Sequence, residues 1–209
     1  LTKIGAYMFI NWMWFGFNAG SALGANGGAG MAMLVTHISA ATASLVWMFI
    51  EWKRFGKPSL IGIVTGMVAG LATVTPASGY IGVPGGLILG FFGGLLCYIA
   101  VDYIRGKLQI DDSLDVFAVH GVGGILGTLL VAFLATSTFS GLGLAEGQTG
   151  VSQFIIQLKS VGLTVIWTSL FTYLILKLTS FVVPLRVNEQ EEIEGLDLRS
   201  HGEKGYHSD

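Results

Sequence analysis

Apolar runs of membrane length, divided by short polar breaks, recur along almost the whole chain. The pattern marks six: Ile4–Leu23, Met31–Trp52, Ser59–Val74, Gly85–Ile104, Asp115–Leu134 and Val151–Leu185. Each comes close to the roughly 20 residues a helix needs to cross the hydrocarbon core. The last is long enough to tilt or to run past the bilayer. Beyond it the pattern stops, and four of the six residues from Glu189 to Glu194 are acidic, which reads as a solvated tail. The expectation is an all-α polytopic bundle of about six transmembrane helices over residues 1–185, followed by a cytoplasmic tail over 186–209.

Composition sharpens this picture. The chain has 209 residues, 52% hydrophobic and 11% charged, against about 25% charged in an ordinary soluble domain. A net charge of −2 gives no reason to expect a nucleic-acid partner, and the single Cys97 excludes an internal disulfide. No paired His or Cys spacing suggests a metal. The glycine clusters GVGG and GLGLAEG do not follow a soluble strand of a βαβ unit, so no nucleotide cofactor is expected. No nucleophile, base and orienting group come together as an enzyme needs.

Lys and Arg set the orientation. Lys53, Arg54 and Lys57 follow the second run, Arg105 and Lys107 the fourth and Arg186 the sixth, whereas the alternate connections carry none. By the positive-inside rule these loops and the tail face the cytoplasm; Lys3 agrees, and Lys159 is the exception that snorkels to the interface.

Glycine, 31 of 209 residues, is about twice as frequent as the usual ~7%. It recurs every fourth residue at Gly16, Gly20 and Gly24, at Gly62, Gly66 and Gly70, and at Gly86, Gly90 and Gly94, the spacing that lets membrane helices approach closely. The uncharged connection TPASGYIGVPGG, residues 75–86, holds two of the four prolines and is expected to form a tight turn or a short re-entrant piece.

Chemistry concentrates in two stretches. WMWFGFNAGSA, from Trp12 to Ala22, sets four aromatic rings beside Asn18 and Ser21, with Phe17 and Ser21 on one helix face. The rings form either an interfacial belt or a cation site, for an aromatic face attracts a cation by about 0.5–2 kcal/mol. In DVFAVHGVGGILGT, His120 has Gly123, Gly124 and Gly127 at helical spacing, so its face is expected to meet another helix or a narrow lumen. Two readings stand: a buried neutral histidine that hydrogen-bonds across helices, or a pore-lining group whose donor and acceptor suit a small polar solute. Asp115 is expected to cap its helix. His37 is expected to be packed and hydrogen-bonded, and His201 and His207 lack metal-like spacing.

WFGFNAGSA, GKPS, VTPASGYIGVPGG, DDSLDVFAVHGVGGILG, GLGLAEG and EGLDLRSHGEKGY, in that order, resemble the second half of ammonium transporters of the Amt/Mep type. The resemblance covers essentially the whole chain and implies the second inverted repeat plus the last helix of an eleven-helix subunit. It implies a cell-membrane homotrimer with one narrow hydrophobic pore per subunit, passing ammonium as ammonia. His120 matches the second pore histidine, Phe17 a gating phenylalanine, Ser21 the hydroxyl of the external ammonium site, Trp14 a pore-side tryptophan and Asp115 a structural acid. The tail match, with Gly195, Asp197, His201 and Gly202, implies contact with a neighbouring subunit and control by a PII-type protein. The first pore histidine and the other gate residues belong to the half not present, so a longer protein is expected. The alternative function is an ammonium sensor of the same fold.

Overall fold

A computed structural model describes residues 2–204, with side chains omitted at several positions before Asn11 and at Asn11 itself; His207 and the end of the GEKGY match lie outside the described residues. All regular structure among the described residues is helical: α1 (Thr2–Gly20), α2 (Gly27–Phe55), α3 (Leu60–Val74), α4 (Val83–Val101), α5 (Val122–Leu134), α6 (Gly150–Thr179) and the short α7 (Glu189–Glu194). Wider π turns extend α4 over Asp102–Lys107 and precede α5 over Val116–Gly121. Four stretches have the length and apolarity to cross a membrane: Gly27–Phe55, Val83–Lys107, Val116–Leu134 and Gly150–Thr179. The sixth run ends at Thr179 rather than Leu185, because Val183 to Leu185 contain Pro184 and the chain turns from Ser180 on. The chain divides into two compact units, Leu1–Val161 and Gly162–Asp209.

Side chains set the helix starts in the first unit. Asn26 accepts from Ala29 N (3.0 Å) and Ser59 from Gly62 N (2.8 Å), each satisfying an orphan donor of a first turn. Gly56 closes α2 at φ 77°, a left-handed conformation that glycine takes without steric cost. The Glu51 carboxylate then accepts from Ser59 N at 2.6 Å, tying the end of α2 to the start of α3.

Two of the three glycine ladders do what their spacing predicts. A Cβ on Gly66 would meet Trp47 and Ala43, and one on Gly70 would overlap the Ser39 carbonyl, so α3 lies against α2 with almost no side-chain layer between. Gly86, Gly90 and Gly94 bring α4 equally close to Val35, Ser39 and Ala43 of the same helix. Thus α2 is the central helix, and Ser39 stitches it to α3 by donating to Gly70 O at 2.8 Å. The ladder in α1 behaves otherwise: Cβ atoms on Gly16 and Gly20 would meet nothing within 4 Å among the described residues, because that face of α1 is bare in this chain.

Two apolar clusters fill the unit. One joins Val35, Val74, Ala77, Ile81, Leu89, Val131 and Leu134; the other joins Trp47, Val68, Ala69, Ala72, Cys97 and Val119. Of the stretch expected as a connection over 75–86, residues 83–86 already belong to α4, and the part up to Gly82 is a compact turn, with Tyr80 N donating to Ala77 O (2.8 Å) and Ala77 and Ile81 buried. It is pinned by Leu142 N donating to Tyr80 O (3.0 Å) and by Gly82, where a Cβ would strike Ser140.

In the second unit, Asn188 caps α7 by accepting from Glu191 N (2.9 Å). Gly195 (φ 93°) and Gly202 (φ 66°) bend the tail on either side of a turn over Asp197–His201. Arg199 sits near Glu191 and Glu194 (3.8 and 3.9 Å), and Arg186 forks onto Glu192 (2.7 and 2.9 Å). The acidic segment is therefore solvated yet locally helical, since the capped turn and these charge pairs supply the order its sparse apolar content does not.

Candidate functional site

The α1 helix presents Trp14 and Phe17 at three-residue spacing, and Ser21, in the turn directly after it, stays over Phe17 through its N–H to Phe17 O (3.2 Å). Trp14 is the anchor. Its Nε1–H donates to Thr75 Oγ1 at 2.7 Å, and its indole lies against the His120 imidazole with centroids 5.8 Å apart and planes 14° apart. A paired aromatic contact of this kind is worth about 0.5–1.5 kcal/mol beyond area burial. One turn on, Asn18 is only 3% exposed and uses both amide hydrogens, toward Thr36 Oγ1 (3.0 Å) and Thr75 Oγ1 (3.4 Å). Burying that amide unpaired would cost about 1–3 kcal/mol, so the two threonines fix α1 against α2 and the end of α3.

Above this layer lies a cavity of about 430 Å³ lined by Phe17, Asn18, Ser21, Thr75, Ser78 and Tyr80. Phe17 is 64% exposed and leaves its ring available to a ligand or to a further wall. The Ser21 hydroxyl donates to Phe17 O at 3.0 Å, which leaves its lone pairs free to accept. Trp14, Phe17, Ser21 and His120 are therefore brought to one region.

His120 departs from one sequence expectation. Gly123 packs between Thr73 of α3 and Cys97 of α4, and a Cβ on Gly127 would overlap the Thr73 carbonyl, but His120 is exposed and faces Trp14. His120 lies in the π turn over Val116–Gly121, whereas Gly123, Gly124 and Gly127 lie beyond it on α5. Gly124, with nothing within 4 Å of its Cβ position, stays on the open side with His120. Among the described residues no second helix covers His120 on its exposed side. His37 is likewise exposed, with a tilted contact to Phe15 at 5.7 Å in place of the packed, hydrogen-bonded setting expected from its small-residue neighbours.

Asp115 does not cap its helix. It occupies the left-handed region (φ 54°), which turns its carboxylate away from the helix N–H groups and toward Arg105, whose Nη1–H donates to Asp115 Oδ1 at 3.3 Å. The cap is Asp112, accepting from Val116 N (2.7 Å), Phe117 N (3.0 Å) and Ala118 N (3.1 Å). Asp115 is 9% exposed and with Arg105 borders a second cavity of about 240 Å³ that Glu51 and Asp102 also line, at the end of the helices carrying Arg54, Arg105 and Lys107.

Thr75, Asn18 and Thr36 escaped the sequence reading as a unit. Polar groups on three different helices become partners only through packing, and the one local signal, Asn18 within an apolar run, does not name its acceptors.

The fold and this layer define a multi-pass helical membrane protein whose bare aromatic face carries a histidine. The model of the Ammonium Transporter Family matches residues 1–206, and the chain belongs to that family. An ammonium transporter of Aquifex aeolicus is 44% identical over 92% of this chain and 45% of its own length. Ammonium transporter Amt1 of Archaeoglobus fulgidus is 45% identical over 99% of this chain and 52% of its own. Among solved structures, "Sensor Amt Protein" superposes with a TM-score of 0.84 at 32% identity, covering 92% of this chain and 47% of that one, and Saccharomyces cerevisiae Mep2 with 0.74 at 32%, covering 85% and 43%. The chain spans about half the length of the curated relatives it matches.

Proposed function

We propose that this chain forms one wall of an ammonium transport path, with the other wall supplied by the part of the protein corresponding to the unmatched half of its relatives. The observation that carries the proposal is the Trp14–His120 stack on an exposed face, below a cavity lined by the Phe17 ring and the Ser21 hydroxyl. Ammonium is held at Phe17 and Ser21 by ring quadrupole and hydroxyl acceptor. Its proton passes to water in the open cavity, and the molecule passes the imidazole as ammonia, because an apolar lumen penalises an ion far more than a neutral amine. Potassium has no proton to lose and is rejected.

In this reading the protein is a homotrimer of the cell membrane, its basic loops and tail are cytoplasmic, and residues 1–185 form the membrane domain. The tail, with Gly195, Asp197, His201 and Gly202, contacts a neighbouring subunit and answers to a PII-type partner. A sensor function is the second reading, favoured by the likeness to the structure titled "Sensor Amt Protein". Full-length protein in liposomes separates these. Ammonium uptake without potassium flux is expected; ammonium binding with no uptake favours the sensor, and equal potassium flux overturns the path.

A further inference from the structure

Thr75 ends α3 in right-handed helical conformation (φ −52°, ψ −46°) although Pro76, which disfavours that conformation in its predecessor, follows directly. Its N–H and its hydroxyl both donate to Leu71 O (3.2 and 2.7 Å), which holds the side chain in one rotamer. Its oxygen then receives Trp14 Nε1–H at 2.7 Å and Asn18 Nδ2–H at 3.4 Å. A hydroxyl has one donor and two lone pairs, so this one is saturated and has no capacity left for a substrate. Trp14 is the side chain stacked on His120, with planes 14° apart.

We infer that Thr75 is a positioning residue: by accepting from Trp14 and Asn18 together, its hydroxyl holds the indole flat against the His120 imidazole and so sets how the path narrows there. The inference rests on the reading that the Trp14–His120 face lines the path. A purely structural threonine would serve helix ends and leave the stack indifferent to its loss. The effect of a positioning threonine on the path passes through Trp14, and its bond to Asn18 adds only to packing, so removing either end of the Trp14–Thr75 bond changes flux alike at matched incorporation, and removing both adds nothing.

The test is ammonium flux in liposomes containing full-length protein at matched incorporation, with His120→Ala as control. Thr75→Val, which keeps the shape and loses the acceptor, is expected to lower maximal flux about 3- to 10-fold, the factor one hydrogen bond supplies, with apparent KM within about 2-fold. Thr75→Ser is expected to restore flux to within about 2-fold of the parent. Replacing Trp14 by β-(3-benzothienyl)alanine, which keeps two fused rings and lacks the N–H, is expected to match Thr75→Val, and the combination to be no slower than either alone. This analogue also decides the matter if Thr75→Val does not fold. Parent-like flux in the analogue or in Thr75→Val, or multiplying effects in the combination, would overturn the positioning role. Parent-like flux in His120→Ala would instead overturn the path reading itself.

Discussion

The indole of Trp14 and the imidazole of His120 lie nearly parallel, 5.8 Å between centroids, although one belongs to the first helix and the other to the π turn that opens the fifth. Each is held from behind: Trp14 by Thr75, and the His120 turn by Asp112, whose carboxylate accepts from three successive N–H groups.

Asp112→Ala removes the acceptor for those donors at the start of the His120 turn. Loss of a helix cap of this kind costs about 0.5–2 kcal/mol, and a carboxylate serving several donors belongs at the upper end. A lowered unfolding midpoint in detergent is expected. Asp115→Asn keeps a polar partner for Arg105 and is expected to cost less; the reverse order would contradict the assignment of the cap to Asp112.

Gly127→Ala is expected to reduce folded yield sharply, because the new methyl overlaps the Thr73 carbonyl, a backbone atom that cannot swing away. Gly124→Ala, with nothing within 4 Å among the described residues, is expected to fold in higher yield than Gly127→Ala. Size-exclusion profiles of the two variants check the difference.

Phe17→Ala combined with Ser21→Leu is expected to raise the apparent KM for ammonium while leaving the fold intact. Phe17 is exposed and the Ser21 hydroxyl bonds back to Phe17 O at the end of α1, so among the described residues neither supports the packing between helices. Parental KM in the double variant would remove these residues from the substrate site.

Deleting residues 189–209 is expected to weaken control or cooperativity between subunits and to leave ammonium flux measurable. Unchanged regulation would argue against a role for the tail.

The sequence made the helices legible because bilayer length and apolarity are local properties. It made the α3 and α4 ladders legible because only small residues at four-residue spacing permit the approach seen at Gly70 and Gly90. Non-local and irregular features were harder. No periodicity in VFAVHG announces the π turn that carries His120, and what His120 and Gly127 meet is set by the packing at each level of the helix. Asp112 and Asp115 are both plausible caps by composition; the left-handed backbone at Asp115 decides between them. His37 and Gly16 look like packing residues and are bare here, since what a helix face meets depends on which other helices the chain contains. Thr75 shows the same limit, because a hydroxyl gains its role from a tryptophan on another helix.

The most direct measurement is flux through full-length His120→Ala protein in liposomes, for ammonium and potassium separately. A path that narrows at the Trp14–His120 stack requires that ammonium flux fall or that potassium begin to cross when the imidazole is removed. Parental ammonium flux with potassium still excluded would contradict it.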